Sequence, residues 1–351
     1  MQIQFMGKRY LFFASLSYSY PILRPLQEEI RYRGDEVAWF LEETCPDLLT
    51  SNEKRLNTID EVMQYNPIAI FAPGNYIYDF FPGVKVQVFH GYPINKRNDK
   101  VDDHFKLRGW FDLYCTQGES STIPFKQLEK KYKYFKIYET GWSKTDNITT
   151  LKTTNSTRKP TIFVATTFSK GISSLNVLYP IIRSLVEKRD WNWMITMHPK
   201  LQDKELRQKY IDLSNSFENV TYLPILNGWE EMNNSDVLLC DSSSIIIEYM
   251  LLDKPVVTYC NTNPGKHLIN VKSVDDIERA LETALSRPDD LMQNVREYSF
   301  FHERYRDGKN SARILDAVDD FISNHQHLME RKPLNIIRKL KLRKQLGYWK
   351  F

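Results

Sequence analysis

Two patterns of apolar residues alternate along this chain. Short uninterrupted apolar runs, such as residues 237–240 (VLLC), alternate with longer segments that have apolar residues every three or four positions, such as residues 175–188. Uninterrupted runs are typical of buried parallel strands, and the second pattern is typical of amphipathic helices. The alternation predicts an α/β protein with doubly wound parallel sheets.

The first half opens with a strand, a serine-rich loop and a helix. Its predicted strands are residues 10–14, 67–72, 84–89, 111–116 and 135–138. Its predicted helices are residues 23–40, 59–64 and 120–133. Residues 147–159 are polar and have no periodicity, so this segment is the best linker candidate in the chain.

The second half restarts the same alternation. Its predicted strands are residues 161–165, 191–197, 220–223, 237–240 and 256–259. Its predicted helices are residues 175–188, 204–215, 230–234, 245–252, 274–284 and 289–298, followed by one that opens at 306–313 and ends near 324. A chain of 351 residues exceeds what one core usually serves. We therefore expect a domain at 1–150, a domain at 160–325 and a tail at 326–351.

Residues 237–259 (VLLCDSSSIIIEYMLLDKPVVTY) carry the clearest chemical signal. A strand, a turn formed by Asp241, Ser242, Ser243 and Ser244, a helix and a second strand follow one another. Hydroxyls and backbone N–H groups at a helix N-terminus suit a phosphate or diphosphate. Ordinary helix capping is the alternative, since Asp and Ser are favoured N-caps, but a cap needs only one such residue.

Two histidines follow strands at corresponding places in the two halves. His90 comes after the strand VKVQVF, and His198 comes after WNWMITM. Functional groups gather at the carboxyl ends of strands in open α/β sheets. If the two domains face each other, one imidazole can take a proton from an attacking hydroxyl while the other hydrogen-bonds a phosphoryl oxygen. Each could instead be a buried histidine satisfied by backbone.

Composition narrows the class of protein. The formal net charge of +4 is small for 351 residues, so a general nucleic-acid binder is not indicated. The four cysteines are widely spaced, which fits a reducing compartment. No stretch approaches the ~20 apolar residues of a transmembrane helix, and the apolar run after Lys8 is too short for a signal peptide.

Several cofactor and metal motifs are absent from the sequence. It has no Asp-x-Asp and no His, Cys and carboxylate set at metal-ligand spacing. It also has no P-loop and no GxGxxG. We therefore expect no cofactor and no metal, and expect helix N-termini, hydroxyls and basic side chains to handle phosphate charge. Arg313 could add a bidentate phosphate contact, although a solvated charge is the ordinary alternative.

Six short motifs together resemble the CDP-glycerol glycerophosphotransferase family, the teichoic-acid primases, polymerases and capsule-synthesis relatives. They are FHG (89–91), GWSKTD (141–146), VATTFS (164–169), MHPK (197–200), DSSSIIIEY followed by DKPVV, and DGKNSAR (307–313). The resemblance covers residues 85–320. It implies a GT-B fold, in which two Rossmann-like domains face a cleft.

The same resemblance implies roles for individual residues. His90 matches the family's catalytic histidine, the general base, and His198 matches its second essential histidine. Asp241, Ser242, Ser243 and Ser244 match the diphosphate-contacting turn, Glu248 a position that often holds ribose or nucleotide, and Arg313 a basic residue of the last motif. Thr166 and Thr167 complete the predicted donor site. The family usually has proline where this chain has Thr166 and Ser143, and the loop after His90 is unusual.

These observations predict a transferase that moves a polyol phosphate, most simply glycerol phosphate, from a CDP-linked donor to a hydroxyl of a glycan or lipid-linked acceptor. CMP leaves and no metal takes part. A GT-B glycosyltransferase that uses a nucleotide sugar for capsule or lipopolysaccharide synthesis is the first alternative. A nucleotide-binding relative without catalysis is the second, and intact histidines at both positions argue against it.

The tail differs from the rest of the chain. Residues 331–351 carry eight Lys or Arg and no acid, interspersed with leucine, isoleucine and aromatic residues. A basic and apolar helix can lie on anionic lipid, which would suit a lipid-linked acceptor. Alternatively, the helix packs back on the first domain. We expect a cytoplasmic protein, peripheral on the inner face of the membrane if the tail binds lipid.

Overall fold

The computed structural model describes residues 7–93, 103–151, 158–167, 173–198, 201, 203–224 and 228–349. These residues form two compact units. The first unit contains the described residues up to Pro93, those within Val101–Thr149, and those within Glu303–Phe351. The second contains those within Thr150–His302.

The strands and helices follow one another much as the apolar pattern predicts. The strands are β1 (Arg9–Ala14), β2 (Glu36–Leu41), β3 (Ala69–Ala72), β4 (Val84–Gln87), β5 (Leu113–Thr116), β6 (Lys136–Glu139), β7 (Thr161–Ala165), β8 (Asn192–Thr196), β9 (Val220–Leu223), β10 (Val237–Cys240), β11 (Val256–Tyr259) and β12 (Ile269–Val271). The helices are α1 (Ser19–Tyr32), α2 (Ile59–Tyr65), α3 (Glu119–Tyr132), α4 (Leu175–Lys188), α5 (Lys204–Ser216), α6 (Trp229–Asn233), α7 (Ile245–Met250), α8 (Ile277–Leu285), α9 (Asp289–His302), α10 (Asn310–Asp320) and α11 (Ile336–Leu346).

Each unit is built on one parallel six-stranded sheet. The order is β2-β1-β3-β4-β5-β6 in the first unit and β12-β11-β10-β7-β8-β9 in the second. In each sheet the strand order reverses beside the first strand of the unit, as in doubly wound folds. Both sheets are parallel throughout, so the carboxyl ends of their strands form one edge of each unit. The predicted α/β, doubly wound fold class is confirmed.

One predicted helix is partly wrong. Residues 23–40 were expected to be helical, but α1 ends at Tyr32 and β2 occupies Glu36–Leu41. Gly34 has a φ of +79°, which ends the helix and turns the chain. The run VAWFL then pairs in parallel with β1, as its β-branched and aromatic residues favour.

The segment after residue 302 corrects the predicted domain boundary at 325. Helix α10 lies in the first unit, where Arg33 binds both the Asp316 carboxylate (2.8 Å) and the Ala312 carbonyl (3.1 Å). Lys8 at the start of β1 also pairs with Asp319 at 2.7 Å. These contacts join α10 to the beginning of the chain, which an apolar pattern cannot reveal.

The tail packs on the first unit. Lys332 pairs with Asp112 at 2.6 Å, and the Asn335 amide donates to the Arg108 carbonyl at 2.8 Å. Leu342 and Leu346 of α11 pack against the aromatic core of this unit. None of the described helices combines the length and hydropathy that crossing a bilayer requires.

Candidate active site

His90 lies at the carboxyl edge of the first sheet, three residues after β4 ends. Its Nδ1 is 3.1 Å from the carbonyl oxygen of Pro73, in the loop after β3. A carbonyl can only accept, so Nδ1 carries the proton and Nε2 has the lone pair. The ring stacks on Tyr18 with a centroid distance of 5.1 Å, and the side chain is exposed. This tautomer is the one that a general base requires.

Three buried side chains, those of Trp142, Gln117 and Glu303, hold residues 89–92 around this histidine. Trp142 Nε1 donates to the Phe89 carbonyl at 3.3 Å. Gln117 Nε2 donates to the Gly91 carbonyl at 3.0 Å. The Tyr92 hydroxyl donates to Glu303 at 2.7 Å. The loop that presents His90 is therefore fixed by contacts from several separate parts of the first unit.

Glu303 is a residue that the sequence analysis did not identify. Its carboxyl group is fully buried and also accepts from the Trp142 N–H (3.2 Å) and the Asn310 side-chain amide (3.4 Å). Burial raises the pKa of Glu303 well above its ordinary value, against the opposing effect of these hydrogen bonds. A single acid between two helices gives no periodic or motif signal, so the sequence offered no means of finding it.

The motifs GWSKTD and DGKNSAR form one structural unit. Asp146 accepts from the N–H groups of Asn310 and Ser311, each at 2.8 Å, and so caps α10. The Asn310 amide donates to the Thr145 hydroxyl at 2.8 Å. Gly141 has a φ of +75°, and a Cβ there would lie 2.4 Å from Asn310 Cγ. Glycine is therefore required where the two motifs meet.

Arg313 is engaged in contacts within the first unit. Its guanidinium binds the Asp307 carboxylate through two nitrogens (2.8 and 2.5 Å) and the Asn310 side-chain oxygen at 3.0 Å. It also lies over the Tyr305 ring at 3.9 Å. The hydrogen bonds from Arg313 hold the pKa of Asp307 at about 2. A phosphate contact by Arg313 would have to compete with this carboxylate.

Asp241, at the end of β10, has an internal role. Its buried carboxylate accepts from the Thr167 N–H (2.8 Å) after β7, and from the Ser174 N–H (3.2 Å) at the start of α4. Burial raises the pKa of Asp241, and its hydrogen bonds oppose that rise. The carboxylate thus ties two neighbouring loops together instead of facing a ligand.

The hydroxyls beside Asp241 differ in their contacts. Ser242 is buried and accepts from the Thr262 N–H at 2.9 Å, whereas Ser243 and Ser244 are partly exposed. The helix that follows is α7, which has only six residues where the sequence predicted eight. Its dipole is correspondingly weak, so hydroxyls and backbone N–H groups are the stronger features of this turn.

The other predicted site residues of the second unit lie on α7 or follow the strands β7 and β8. Glu248 is on α7 and is partly exposed. Thr166 is buried, and its hydroxyl has no hydrogen-bond partner among the described residues. His198 is exposed two residues after β8, and its carbonyl accepts from the Leu201 N–H at 2.9 Å. Since β10, β7 and β8 are adjacent, these groups follow neighbouring strands at one edge.

The described residues contain no cluster of three or more His, Cys, Asp or Glu side chains arranged to hold a metal ion.

Lys254, in the motif DKPVV, donates to the main-chain carbonyls of Met232, Asn233 and Ser235. Burial lowers the pKa of Lys254 to about 8. This motif therefore holds the end of α6.

Solved structures with the same architecture define the class of fold. The S. aureus protein MnaA, in a co-structure with UDP, gives a TM-score of 0.62 at 16% identity and covers 93% of this chain and 99% of its own. The wall teichoic acid polymerase TagF gives 0.63 at 15% identity, with 89% of each chain covered. The predicted GT-B fold is therefore confirmed.

A family model matches part of the sequence of the second unit together with α10. Residues 182–320 match the model of the CDP-glycerol:poly(glycerophosphate) glycerophosphotransferase family. The match includes His198, the Asp241–Ser244 turn and Arg313. It begins at residue 182 and so does not include β4 or His90. The resemblance predicted from the motifs is confirmed over this part of the chain.

A curated relative supports the same assignment. The teichoic acid ribitol-phosphate primase of Bacillus spizizenii is 25% identical in an alignment of 164 residues, and the match covers 41% of this chain. The matched region spans 38% of the length of that relative.

Proposed function

We propose that this chain transfers a polyol phosphate, glycerol phosphate in the first instance, from a CDP-linked donor to a hydroxyl of a glycan or lipid-linked acceptor. The observation that carries the proposal is the family match over residues 182–320. Two of the proteins named above, the wall teichoic acid polymerase TagF and the teichoic acid ribitol-phosphate primase, are named for teichoic acid synthesis, and we extend that setting to this chain as part of the proposal.

In the proposed reaction the acceptor hydroxyl attacks the β-phosphorus of the donor. A bond forms between that phosphorus and the acceptor oxygen, and the bond from phosphorus to the bridging oxygen breaks. CMP leaves with the bridging oxygen, and His90 takes the proton from the acceptor hydroxyl. The hydrogen bond between His90 Nδ1 and the Pro73 carbonyl supports this role, because it leaves the lone pair on Nε2.

The second unit would bind the donor. We assign the phosphates to Ser243 and Ser244, with Ser242 and Asp241 holding the turn and Thr166 and Thr167 completing it from β7. We assign Glu248 to the ribose and His198 to a hydrogen bond on a phosphoryl oxygen, where charge develops as CMP leaves. Arg313 would contact phosphate only by giving up part of its pairing with Asp307.

The direct test is CMP release from purified protein supplied with CDP-glycerol or CDP-ribitol and candidate acceptors. We expect release that depends on the acceptor and persists in EDTA, because the sequence has no metal-binding motif. The matched control is His327→Ala, which removes an exposed histidine from the first unit. No release above that of His90→Ala with either donor would contradict the proposal. Release of UDP from a nucleotide sugar would support the glycosyltransferase instead.

We propose further that the tail contacts an anionic membrane surface from the cytoplasmic side. The α11 face opposite the packed Leu342 and Leu346 exposes the apolar side chains of Ile336, Ile337 and Leu340, and Leu334 is exposed just before the helix begins. Basic residues flank them, including Arg338 and Lys341. Packing on the first unit and lipid contact are thus compatible, since they use different faces of one helix.

Flotation with anionic liposomes tests the tail without disturbing its packed face. We expect the unmodified chain to float with vesicles containing phosphatidylglycerol and to lose binding when Ile337 and Leu340 are both replaced by Glu. The same pair replaced by Ala should bind weakly. Equal flotation of all three proteins would refute membrane contact through this helix.

A further inference from the structure

Phe89, the residue directly before His90, has an uncommon backbone conformation. Its φ is +56°, in the left-handed region. A residue with a bulky side chain rarely adopts this region, because its Cβ crowds the backbone there. Such a conformation persists only where the surrounding structure imposes it, and it is common at active sites. The conformation of Phe89 therefore sets the direction in which the chain enters His90.

The buried side chain of Phe89 lies among three other aromatic rings. The His104 ring stacks on it, with centroids 5.0 Å apart and planes 15° from parallel. The Phe125 ring on α3 lies 5.3 Å away, and the Tyr114 ring on β5 lies 6.2 Å away. Aromatic pairs at these distances stabilise one another beyond the burial of their surface. Of the three rings, only that of His104 comes from the sequence that follows His90 in the chain.

The residues around His104 are fastened to the rest of the first unit on both sides. The neighbouring Phe105 ring lies 5.4 Å from Phe125. Farther along, the Arg108 carbonyl accepts hydrogen bonds from the tail, from Asn335 at 2.8 Å and from Arg338 at 3.1 Å. The core and the tail thus hold residues 103–110 between them.

Gly109 allows the tail to approach these residues closely. Its φ is +71°, and a Cβ there would lie 2.6 Å from the side-chain nitrogen of Asn335. Glycine is therefore required at this contact. Because the tail packs directly on the backbone here, residues 103–110 have little room to shift, and the His104 ring has a defined position against Phe89.

We infer that His104 is a positioning residue for His90. Its ring holds Phe89 in the left-handed conformation, and Phe89 in turn directs the imidazole of His90. This role uses the flat shape of the His104 ring and not its nitrogens. The inference rests on the proposed function in taking His90 as the base. It also gives a role to the sequence after His90, which departs from the family pattern.

Two substitutions separate the ring of His104 from its nitrogens. His104→Ala removes the ring, whereas His104→Phe keeps a flat ring and removes the nitrogens. His327→Ala is the matched control, because it removes an exposed histidine of the same unit. Thermal unfolding of the variants and the unmodified chain defines a temperature at which all four proteins are folded, and the measurements are made there.

Steady-state CMP release gives kcat and the donor KM of each protein. We expect His104→Ala to lower kcat by about tenfold to a hundredfold, the scale of a misplaced catalytic group. The donor KM should not change, because the donor is assigned to the second unit. His104→Phe should restore kcat. A normal kcat in His104→Ala overturns the inference, and so does an equal loss in His104→Phe, since the nitrogens would then be required.

A nuclear magnetic resonance measurement tests the positioning without turnover. The His90 ring stacks on Tyr18, so the chemical shift of its Cε1 proton depends on where the imidazole lies. In histidine-labelled protein, the His90 signal is the one lost in His90→Ala. We expect this signal to move in His104→Ala and to keep its place in His104→Phe and His327→Ala.

The same signal distinguishes failure of the inference from failure of the proposed function. An unmoved His90 signal in His104→Ala, or an equal movement in His104→Phe, overturns the inference. If the unmodified chain releases no CMP with either donor, the proposed function fails, and the His90 signal alone decides whether His104 positions this imidazole.

Discussion

The two units use their family motifs in different ways. In the first unit, FHG, GWSKTD and DGKNSAR bind mainly one another: Trp142 holds the His90 loop, and Asp146 caps α10. In the second unit, the DSSS turn is held by Asp241 and Ser242 and leaves other hydroxyls beside a cavity. The first unit thus presents one imidazole on a fixed loop, and the second presents a surface of uncommitted groups.

Examples of buried ionisable groups from the two units also differ in how pH should affect them. Burial in the first unit raises the pKa of an acid, Glu303, and burial in the second lowers the pKa values of two imidazoles, His267 and His302. Burial favours the uncharged form of each group. Stability should therefore fall as pH rises in the case of Glu303, and fall as pH drops in the case of the two imidazoles. The comparison therefore yields tests of chemistry and of stability, beginning with the largest effect.

Removing the imidazole of His90 should have the largest effect. His90→Ala should lower the rate of CMP release by about a hundredfold to ten-thousandfold, the usual contribution of a general base. The side chain is exposed, so the melting temperature should change little. Stopped assays with CDP-glycerol and calorimetric scans measure the two quantities. Normal turnover by the His90→Ala protein would show that His90 is not the general base.

Removing the buried carboxyl of Glu303 should come next. Glu303→Ala leaves the Tyr92 hydroxyl and the Trp142 N–H without their acceptor, at a cost of about 3 kcal/mol in the free energy of unfolding. Glu303→Gln resembles the protonated acid and should cost less. Urea denaturation at pH 7 measures both. If Ala and Gln variants lose the same stability, the carboxyl contacts do not hold the loop.

The sign of the pH dependence for Glu303 follows from its raised pKa. The folded state keeps the proton while the unfolded acid ionises at its ordinary pKa of 4.5, so the contribution of Glu303 to stability declines as pH rises above that value. Glu303→Gln should remove this decline. The difference between the two stability curves, measured between about pH 4 and pH 8, isolates the effect.

Acid should weaken the second unit through His302. Burial, and then the neighbouring His267, lower the pKa of His302 from 6.5 to about 4. The unfolded imidazole therefore takes a proton first, and stability falls as pH drops from 6.5 towards 4, on the order of 2 kcal/mol. His302→Gln should flatten this part of the curve. Denaturant midpoints of both proteins, measured across this pH window, test the prediction. The same dependence of stability on pH in both proteins would contradict it.

The smallest effect concerns the cap of α10. Asp146→Ala removes the acceptor for the N–H groups of Asn310 and Ser311 and should cost about 1 kcal/mol. Asp146→Asn can still accept and should cost only a few tenths as much. Thermal unfolding separates the two variants. Equal stability of Ala and Asn would show that the two motifs are held by Asn310 alone.

The sequence predicted those features that depend on neighbouring residues. The bounds of β7, β9, β10, β11 and α4 agree with prediction, because each is an apolar run or a periodic segment between clear polar breaks. The three residues of β12 are too short for any pattern, and VAWFL in β2 fits a helix or a strand until its pairing with β1 is known.

The candidate site was predictable only as a set of residue types. Motif resemblance pointed to His90, His198 and the DSSS turn, yet it could not reveal that Asp241 faces inwards. The bond from Asn310 to Asp146 joins positions 164 apart in the chain, and Tyr92 lies 211 positions before Glu303. Such contacts depend on the closed fold, so no local spacing encodes them.

The return of residues 303–349 to the first unit has a consequence for biosynthesis. The described residues of the second unit all lie between 150 and 302, whereas the first unit also needs Glu303, α10 and α11, which follow the second unit in the chain. Domains fold as units during translation. The second unit can therefore complete its fold before the first, and the His90 loop acquires the support of Glu303 only after the second unit has been synthesised.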